Sequence, residues 1–189
     1  TVKNLNIAAT PGHSIVGYQG GASAFADTLY PGGKIINCIN SMPIDLSGTN
    51  ISLDAGAFVK YNAGGYVEGC VNNAAIKVTN TCTTAPTADK ATIRVGGIAA
   101  TMGTVSYDSK NWGYQLCGAC PMEMKDCTNN GTIEVIPEVD ETAHSYGYVV
   151  FAVGGVVGWL RGHASFGGKD HEYMKTLDNC DNTGAINVY

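Results

Sequence analysis

Two cysteines separated by two residues, Cys117 and Cys120, have a spacing that could support chemistry. A dithiol of this kind acts as a redox pair at the start of a helix, and it forms half of a zinc site when a second pair or spaced histidines follow. Neither context surrounds this pair, although Cys127 could supply a third thiolate. A local disulfide or two packed thiols is the simplest interpretation, with metal binding and redox catalysis as alternatives. We assign no metal site and no cofactor.

Acidic side chains offer a second kind of chemistry, because paired carboxylates cleave glycosidic bonds. The candidates are Glu138, Asp140 and Glu141 after Pro137, and Asp170 and Glu172 beside Lys169 and His171. Spacing alone brings no two of these carboxylates together, and the first group is typical of a solvated loop. A polysaccharide-active enzyme is therefore only the third hypothesis, and we assign no catalytic residue.

Large aromatic side chains are the third group of candidates. Trp112 and Tyr114 lie two residues apart and share a face if the segment is extended, while Trp159 and Tyr173 lie near the ends of a later segment. Exposed flat rings suit the faces of sugars and the centres of protein interfaces. We therefore expect any ligand contact to involve these four residues. The alternative is that their rings cap the hydrophobic interior.

The elements that must position these residues are repeated. One phrase, C-x-N-x-x-x-I, begins at four cysteines: Cys38, Cys70, Cys127 and Cys180. An internal repeat of this kind indicates a stack of similar units in which each unit contacts its neighbours. We therefore predict an all-β fold, a β-solenoid (β-helix-like) built from about four irregular repeats with loop insertions, as a single domain spanning residues 1–189.

The pattern within the phrase predicts a strand, a corner and a second strand. From each cysteine onward, the Cys, the Asn, the Ile and a following apolar residue all lie at alternate positions of the same parity, as a strand with one buried face requires. A turn-forming residue directly precedes each cysteine, where the chain must bend. The structural repeat residues are Cys38, Asn40, Cys70, Asn72, Cys127, Asn129, Cys180 and Asn182. The cysteines are expected in an inward column, and the asparagines are expected to bond the backbone or the Asn of the next coil.

Paired glycines before an apolar residue form a second recurring element. They begin at Gly20, Gly64, Gly96 and Gly154, and the distance from each to the next repeat cysteine varies widely. Variable insertions in repeat proteins project as loops and often form the binding face. A local function is therefore expected in residues 22–34, 101–123 and 159–174.

Composition and net charge limit which kinds of binding partner we expect. The formal net charge is −5 and no Lys/Arg cluster is present, so a nucleic-acid partner is not expected. The longest apolar stretch, Tyr148 to Leu160, is interrupted by glycines and is too short to cross a bilayer, so it indicates buried strands rather than a transmembrane segment. Seven cysteines cannot all pair within one chain. Any disulfide is expected to involve Cys82, Cys117 or Cys120 first.

The last copy of the two elements, Gly154 to Gly158 followed by Asn179 to Ile186, resembles the GLUG-type repeats of bacterial surface proteins. In those repeats a Gly-Gly-Leu-apolar-Gly element precedes an Asn-Cys-x-x-x-Gly-x-apolar element. The third copy matches well, whereas Met42 and Ala74 stand where the first two copies should have Gly. The resemblance implies an adhesin-like β-solenoid of a Bacteroides-type bacterium, secreted or on the outer surface, and part of a larger protein.

The leading functional hypothesis is a non-catalytic, extracellular module that presents loops for adhesion or for binding a glycan or a host or surface protein. The second hypothesis is a structural spacer or assembly subunit with end-to-end self-association. A full-length gene product with a signal and further repeats would favour surface display.

Overall fold

The computed structural model describes residues 1–17, 20–82, 92–103, 122–139, 150–160, 164–166, 169–171 and 175–189. At residues 82, 139, 150, 164–166, 169–171 and 175 the description is limited to the backbone. The described residues form β-strands, turns and bends, with no α-helix among them, which confirms the predicted all-β class. In these ranges there is accordingly no helix that could cross a membrane.

The strands recur in the same order as the chain winds through successive coils. The first coil has β1 (Val2–Lys3), β2 (Asn6–Ile7), β3 (Ile15–Val16), β4 (Gly21–Ala22) and β5 (Ala26–Leu29). The second has β6 (Lys34–Ile36), β7 (Ile39–Asn40), β8 (Ile44–Thr49), β9 (Leu53–Gly56) and β10 (Val59–Asn62). The third has β11 (Tyr66–Glu68), β12 (Val71–Asn72), β13 (Ile76–Cys82), β14 (Thr92–Gly96) and β15 (Ala99–Met102).

The fourth coil has β16 (Met122–Lys125), β17 (Thr128–Asn129), β18 (Ile133–Val139), β19 (Val150–Gly154) and β20 (Val157–Leu160). An antiparallel hairpin of β21 (Ala164–Phe166) and β22 (Lys169–His171) then precedes the last strands. These are β23 (Lys175–Asp178), β24 (Asp181–Asn182) and β25 (Ile186–Val188).

Equivalent strands of successive coils pair in parallel, so that the chain forms stacked sheets as in a β-helix. Sheets A, B and C are β1-β6-β11-β16-β23, β2-β7-β12-β17-β24 and β3-β8-β13-β18-β25; sheets D and E are β4-β9-β14-β19 and β5-β10-β15-β20. Sheets A to C contain five strands each, although the cysteine phrase occurs four times. In the first coil, Leu5 stands at the cysteine position and Ile7, which pairs with Asn40, stands at the asparagine position. This coil therefore lacks the phrase.

The interior is built from the alternation within the phrase. The positions occupied by Ile44, Ile76 and Ile133 are at most 1% exposed, whereas Asp45 and Lys77, one residue further along the chain, are exposed. The bend before each cysteine uses a left-handed backbone, with φ between 49° and 60°. These corner residues are Asn37, Gly69, Asp126 and Asn179. Asn, Asp and Gly tolerate this conformation best, which explains why they precede the cysteines.

The prediction about paired glycines is wrong for two of the four copies. The residues in register at the end of sheet D are Gly56, Gly96 and Gly154. Gly21 instead pairs with Asp54, two residues before Gly56, and Gly64 lies in the connection between β10 and β11. The true second copy, Gly56-Ala57-Phe58, has Ala in place of the second Gly and was therefore not recognised from the sequence.

The turn between sheets D and E, which we call the glycine turn (residues 56–58, 96–98 and 154–156), packs very closely against the rest of the coil. A Cβ on Gly96 would lie 1.9 Å from the carbonyl oxygen of Ala99. A Cβ on Gly97 would lie 2.0 Å from the carbonyl oxygen of Gly155 and 2.4 Å from Cγ of Asn129. The glycine turn therefore reaches across the coil to the asparagine column, and only a residue without a side chain fits at Gly97.

Two further expectations are corrected. Residues 22–34 are not an insertion, because β5 within them is a regular strand of sheet E that pairs with β10. The stretch from Tyr148 to Leu160 does contain strands, but they are not fully buried: Phe151 is 41% exposed and Leu160 is 47% exposed. The reason is that β19 and β20 are the last strands of their sheets among the described residues, so no described strand pairs with their outer edges.

Candidate functional site

The four repeat cysteines form a single column inside one corner of the stack. Cys38, Cys70 and Cys127 have no exposed surface, and Cys180 at the end of the column is partly exposed. All four are free thiols. Each thiol donates to the carbonyl two residues before it, at 3.2–3.3 Å. The thiols of Cys70, Cys127 and Cys180 also lie 3.5–3.7 Å from a backbone carbonyl oxygen of the preceding coil. The column therefore satisfies the weak S–H donors with backbone acceptors.

Neighbouring thiols within this column affect each other's acidity. The hydrogen bond with Cys127 lowers the pKa of Cys70, and the same hydrogen bond, followed by burial, raises the pKa of Cys127 well above its ordinary value. Burial raises the pKa of Cys180. A reactive cysteine needs an accessible thiolate. Cys127 and Cys180 therefore stay protonated at neutral pH, and the buried column is suited to packing.

The four repeat asparagines form a second column beside the cysteines. Each side-chain amide donates to the carboxamide oxygen of the next asparagine: Asn40 to Asn72 at 2.9 Å, Asn72 to Asn129 at 2.7 Å and Asn129 to Asn182 at 2.7 Å. Each amide also donates to the carbonyl two residues further along its own chain, at 2.8–3.1 Å. Asn40, Asn72 and Asn129 are completely buried. Their polar atoms are used within the stack, so they support the fold rather than a reaction.

A polar cluster that sequence reasoning missed lies between sheets D and E. Arg94 makes two hydrogen bonds to the Asp54 carboxylate, through Nε to Oδ1 and at 2.8 Å through Nη2 to Oδ2. The hydroxyl of Tyr61 donates to the same carboxylate, and Arg94 Nη2 lies 3.4 Å from that hydroxyl. Asp54 is 4% exposed, so its charge is compensated almost entirely by these two side chains.

Two aromatic rings enclose the guanidinium of Arg94. Its Cζ lies 5.6 Å from the ring centre of Tyr61 and 5.2 Å from that of Trp159. Thr101 stands between Tyr61 and Trp159 in the register of sheet E, and this small residue leaves room for the Arg94 side chain from sheet D. The arrangement is a stacked cation–π cluster of the kind that arginine favours.

The chemistry of this cluster is that of a clamp between sheets. Burial first, and then the hydrogen bond to Asp54, raises the pKa of Tyr61 well above its ordinary value, so Tyr61 keeps its proton and does not act as a base. Next to it, Lys60 forms an ion pair with Asp27 and lies 5.0 Å from the Tyr61 ring centre. The charged groups are thus paired with one another across neighbouring coils.

A correct alignment of the glycine turns would have revealed this cluster. Asp54 and Arg94 each stand two residues before the first glycine of the turn, and Tyr61 and Trp159 each stand five residues after it. When Gly64 is taken as the second copy, these equal spacings do not appear. The sequence therefore contains the signal for the cluster, but it is visible only when Gly56 is aligned with Gly96 and Gly154.

Of the four aromatic residues expected to contact a ligand, only Trp159 is described. It lies in β20, is partly buried, and turns one face of its ring toward Arg94. Trp112, Tyr114 and Tyr173 lie outside the described residues, as do Cys117 and Cys120 of the dithiol. Cys82 belongs to β13, and only its backbone is described. The structure therefore does not bring the four aromatic candidates together in one described site.

Of the five candidate carboxylates, Glu138 is the one whose side chain is described. Glu138 is exposed and accepts a 2.8 Å hydrogen bond from Thr81 in the neighbouring strand. Asp170 lies in the hairpin strand β22, with only its backbone described, and Asp140, Glu141 and Glu172 fall outside the described residues. No group of three or more His, Cys, Asp or Glu side chains in the described ranges is arranged to hold a metal ion.

Comparison with known proteins adds nothing to the interpretation of this geometry. No protein-family model matches the chain, and neither a curated protein nor a solved structure matches it. The resemblance to GLUG-type repeats therefore remains a prediction from the motifs. The architecture of stacked parallel strands rests on the structure alone.

Proposed function

We propose that this chain is a non-catalytic repeat module of a bacterial cell-surface or secreted protein, in which the stacked strands hold loops that bind a glycan or a protein. One observation carries the proposal. Two segments, residues 103–121 with Trp112 and Tyr114 and residues 161–174 with Tyr173, leave neighbouring strands of sheet E, β15 and β20, and return to neighbouring strands of sheet A, β16 and β23. The fourth aromatic candidate, Trp159, lies within β20, next to the start of the second segment. Adjacent strands lie about 4.8 Å apart, so the two segments begin side by side and end side by side.

The same connection in the preceding coil is short. Only residues 63–65 join β10 to β11, whereas residues 103–121 and 161–174 occupy the corresponding places in the next two coils. The scaffold closes with the short connection, so the added length is not needed to stack the coils. Extra chain at one corner of a rigid scaffold is the usual location of binding residues.

The repeated polar residues support a role without catalysis. The asparagine column, the cysteine column and the Asp54–Arg94 pair all have partners inside the scaffold. A catalytic group instead needs to reach a substrate with a suitable pKa. The enzyme hypothesis has the least support, since the one candidate carboxylate whose side chain is described, Glu138, lies exposed beside Thr81.

A glycan array and an adhesion assay test the proposal. A variant with Trp112→Ala and Trp159→Ala is expected to lose binding by about tenfold or more if the aromatic rings contact the ligand. The matched control is Phe151→Ala, which removes an exposed aromatic ring from the scaffold strand β19. Both variants must melt cooperatively, because Trp159 also packs on Arg94. Unchanged binding by the folded double variant would discard the aromatic site.

The structural spacer or assembly subunit is the second candidate, and a different observation favours it. The asparagine column runs without interruption through four successive coils, from Asn40 to Asn182, as a structure that mainly serves to stack coils requires. If the unsubstituted protein binds no ligand across a broad glycan array, the spacer function is favoured. Its expected behaviour is assembly through the ends of the stack.

A further inference from the structure

Asn130 is the single asparagine of the sequence that is followed by glycine, in Asn130-Gly131. When an asparagine side chain loses ammonia, the nucleophile is the backbone nitrogen of the following residue. Glycine leaves this nitrogen the least hindered, because it has no Cβ and moves freely in the backbone. On sequence alone, Asn130 is therefore the asparagine of this chain that is most prone to deamidation.

The packing of the stack explains why glycine follows Asn130. A Cβ on Gly131 would lie 1.8 Å from the carbonyl oxygen of Ala74 in the preceding coil. In the next coil, a Cβ on Gly184 would lie 2.0 Å from the carbonyl oxygen of Gly131. The residue before Gly184 is Thr183, which cannot deamidate. The close contact between coils therefore produces the reactive dipeptide at Asn130.

The side chain of Asn130 is held at both polar atoms, in a row of exposed residues that we call the outer ladder (Asn73, Asn130 and Thr183). The amide nitrogen of Asn130 donates to the carboxamide oxygen of Asn73 at 2.9 Å. The carboxamide oxygen of Asn130 accepts from the hydroxyl of Thr183 at 2.8 Å. These two hydrogen bonds fix the orientation of the carboxamide, which must rotate toward the backbone before it can react.

The nucleophile is restrained as well. The N–H of Gly131 donates to the carbonyl of Asn72 at 3.2 Å. Cyclisation requires this nitrogen to lose its proton and to turn toward Cγ of Asn130, and the hydrogen bond opposes both. Gly131 is also buried, so a base from the solvent reaches its N–H only when the coil opens. The folded stack therefore restrains both reacting groups.

We propose that Asn130 is a site of spontaneous deamidation, and that its reaction is suppressed in the folded stack and proceeds when the coil opens. The nitrogen of Gly131 attacks Cγ of Asn130 and forms a C–N bond. The side-chain nitrogen leaves as ammonia and takes up the proton that the attacking nitrogen releases. Water then opens the cyclic imide to aspartate or isoaspartate, with no change in oxidation state. This proposal does not depend on the loops binding a ligand.

Neither product fits the stack as asparagine does. Isoaspartate adds one carbon to the backbone path between β17 and β18, where Gly131 already packs closely against Ala74. Aspartate replaces the amide donor by a carboxylate oxygen, which faces the carboxamide oxygen of Asn73. A coil that has opened and reacted therefore restacks poorly. The reaction converts a reversible opening of the stack into a permanent one.

The test follows Asn130 by tryptic peptide mapping with mass spectrometry after incubation at mildly alkaline pH. Asn130 lies in the peptide of residues 126–161, and the internal control Asn73, which is followed by Ala74, lies in the peptide of residues 61–77. In urea, Asn130 is expected to convert several times faster than Asn73, because glycine follows it. In the folded protein, Asn130 is expected to convert about a hundredfold or more slowly than in urea.

A variant of the folded protein tests the outer ladder. Thr183→Val removes the hydroxyl that holds the Asn130 oxygen and lies at an exposed position, and a thermal melt checks the fold. Conversion of Asn130 is expected to rise about three- to tenfold, the factor that one hydrogen bond of ordinary strength allows. The matched control is Thr128→Val, in β17 and outside the outer ladder, which is expected to leave the rate unchanged.

Three results would overturn the proposal. The first is conversion of Asn130 in the folded protein as fast as in urea. The second is conversion of Asn73 in urea as fast as that of Asn130. The third is a folded Thr183→Val protein that converts no faster than the Thr128→Val protein. The first two comparisons use the unsubstituted protein, so they do not depend on the folding of a variant.

Discussion

Asn129 donates its side-chain amide to the carboxamide oxygen of Asn182 at 2.7 Å, although the two residues are 53 positions apart in the chain. Between them lies a complete coil with its insertions, including residues 140–149 and 161–174. The contact shows that the length of an insertion does not alter the register of the stack. The ladder of asparagines therefore holds coils of very different length in one column.

Interruption of the asparagine column at its centre is expected to destabilise the protein strongly. Asn129→Ala removes the acceptor of the buried Asn72 amide and the donor to the carbonyl of Gly131. Each buried group left unpaired costs about 1–3 kcal/mol, so we expect a loss of about 2–5 kcal/mol in the free energy of unfolding. Urea denaturation measures it. The matched control is Asn182→Ala at the exposed end, where water replaces the lost partner; equal losses in the two variants would contradict the extra cost expected at the buried position.

The glycine turn is expected to reject even one methyl group. Gly97→Ala places a Cβ 2.0 Å from the carbonyl oxygen of Gly155, so the turn or the asparagine column must move. We expect a loss of about 3 kcal/mol or more. Gly12→Ala is the control: it has open space around the Cβ and φ of +74°, so it carries only the cost of a left-handed residue, about 1–2 kcal/mol. A Gly97→Ala protein that is as stable as the control would contradict the close packing.

The Asp54–Arg94 pair is expected to be much more sensitive to the loss of one partner than to the loss of both. Arg94→Met leaves the Asp54 carboxylate, 4% exposed, with only Tyr61 as a donor, and we expect a cost of about 3–5 kcal/mol. Asp54→Asn combined with Arg94→Met removes both charges and is expected to recover part of this loss. A double-mutant cycle by chemical denaturation measures the coupling. Additive effects would mean that the two side chains do not interact.

Stability at alkaline pH is expected to depend on Tyr61. The ordinary pKa of tyrosine is 10.0, and burial with the hydrogen bond to Asp54 raises that of Tyr61 in the folded protein. Above pH 10 the unfolded chain loses this proton while the folded protein retains it, so the free energy of unfolding falls as pH rises. One proton corresponds to about 1.36 kcal/mol per pH unit. Tyr61→Phe is expected to reduce the slope by up to this amount, and an unchanged slope between pH 10 and 11 would contradict the shift.

The thiols of the cysteine column are expected to react in order of their position. Cys180 is partly exposed, whereas Cys38, Cys70 and Cys127 have no exposed surface. Native-state alkylation followed by peptide mapping should therefore label Cys180 first among these four, and slowly at neutral pH because burial raises its pKa. The other three should react only when the stack opens. Early labelling of Cys70 or Cys127 would contradict the buried column.

The sequence by itself determined the repeating unit of this protein. The recurrence of Cys, Asn and Ile at fixed spacing predicted which residues share a buried face, and the Asn, Asp or Gly before each cysteine predicted the corner, because few other residues adopt a positive φ there. Both predictions depend on neighbours within one coil. Such local preferences can be read from the order of residues.

Only the tertiary structure decided which residues of different coils contact one another. The sequence does not reveal Gly56 as the partner of Gly96, because Ala57 breaks the paired-glycine pattern. The cluster forms only when strands 40 or more residues apart are in register, and its members are Asp54, Arg94, Tyr61 and Trp159. The direction of the asparagine ladder likewise depends on how side chains orient across coils. Contacts between distant segments are set by packing of the whole stack, which no single segment of sequence specifies.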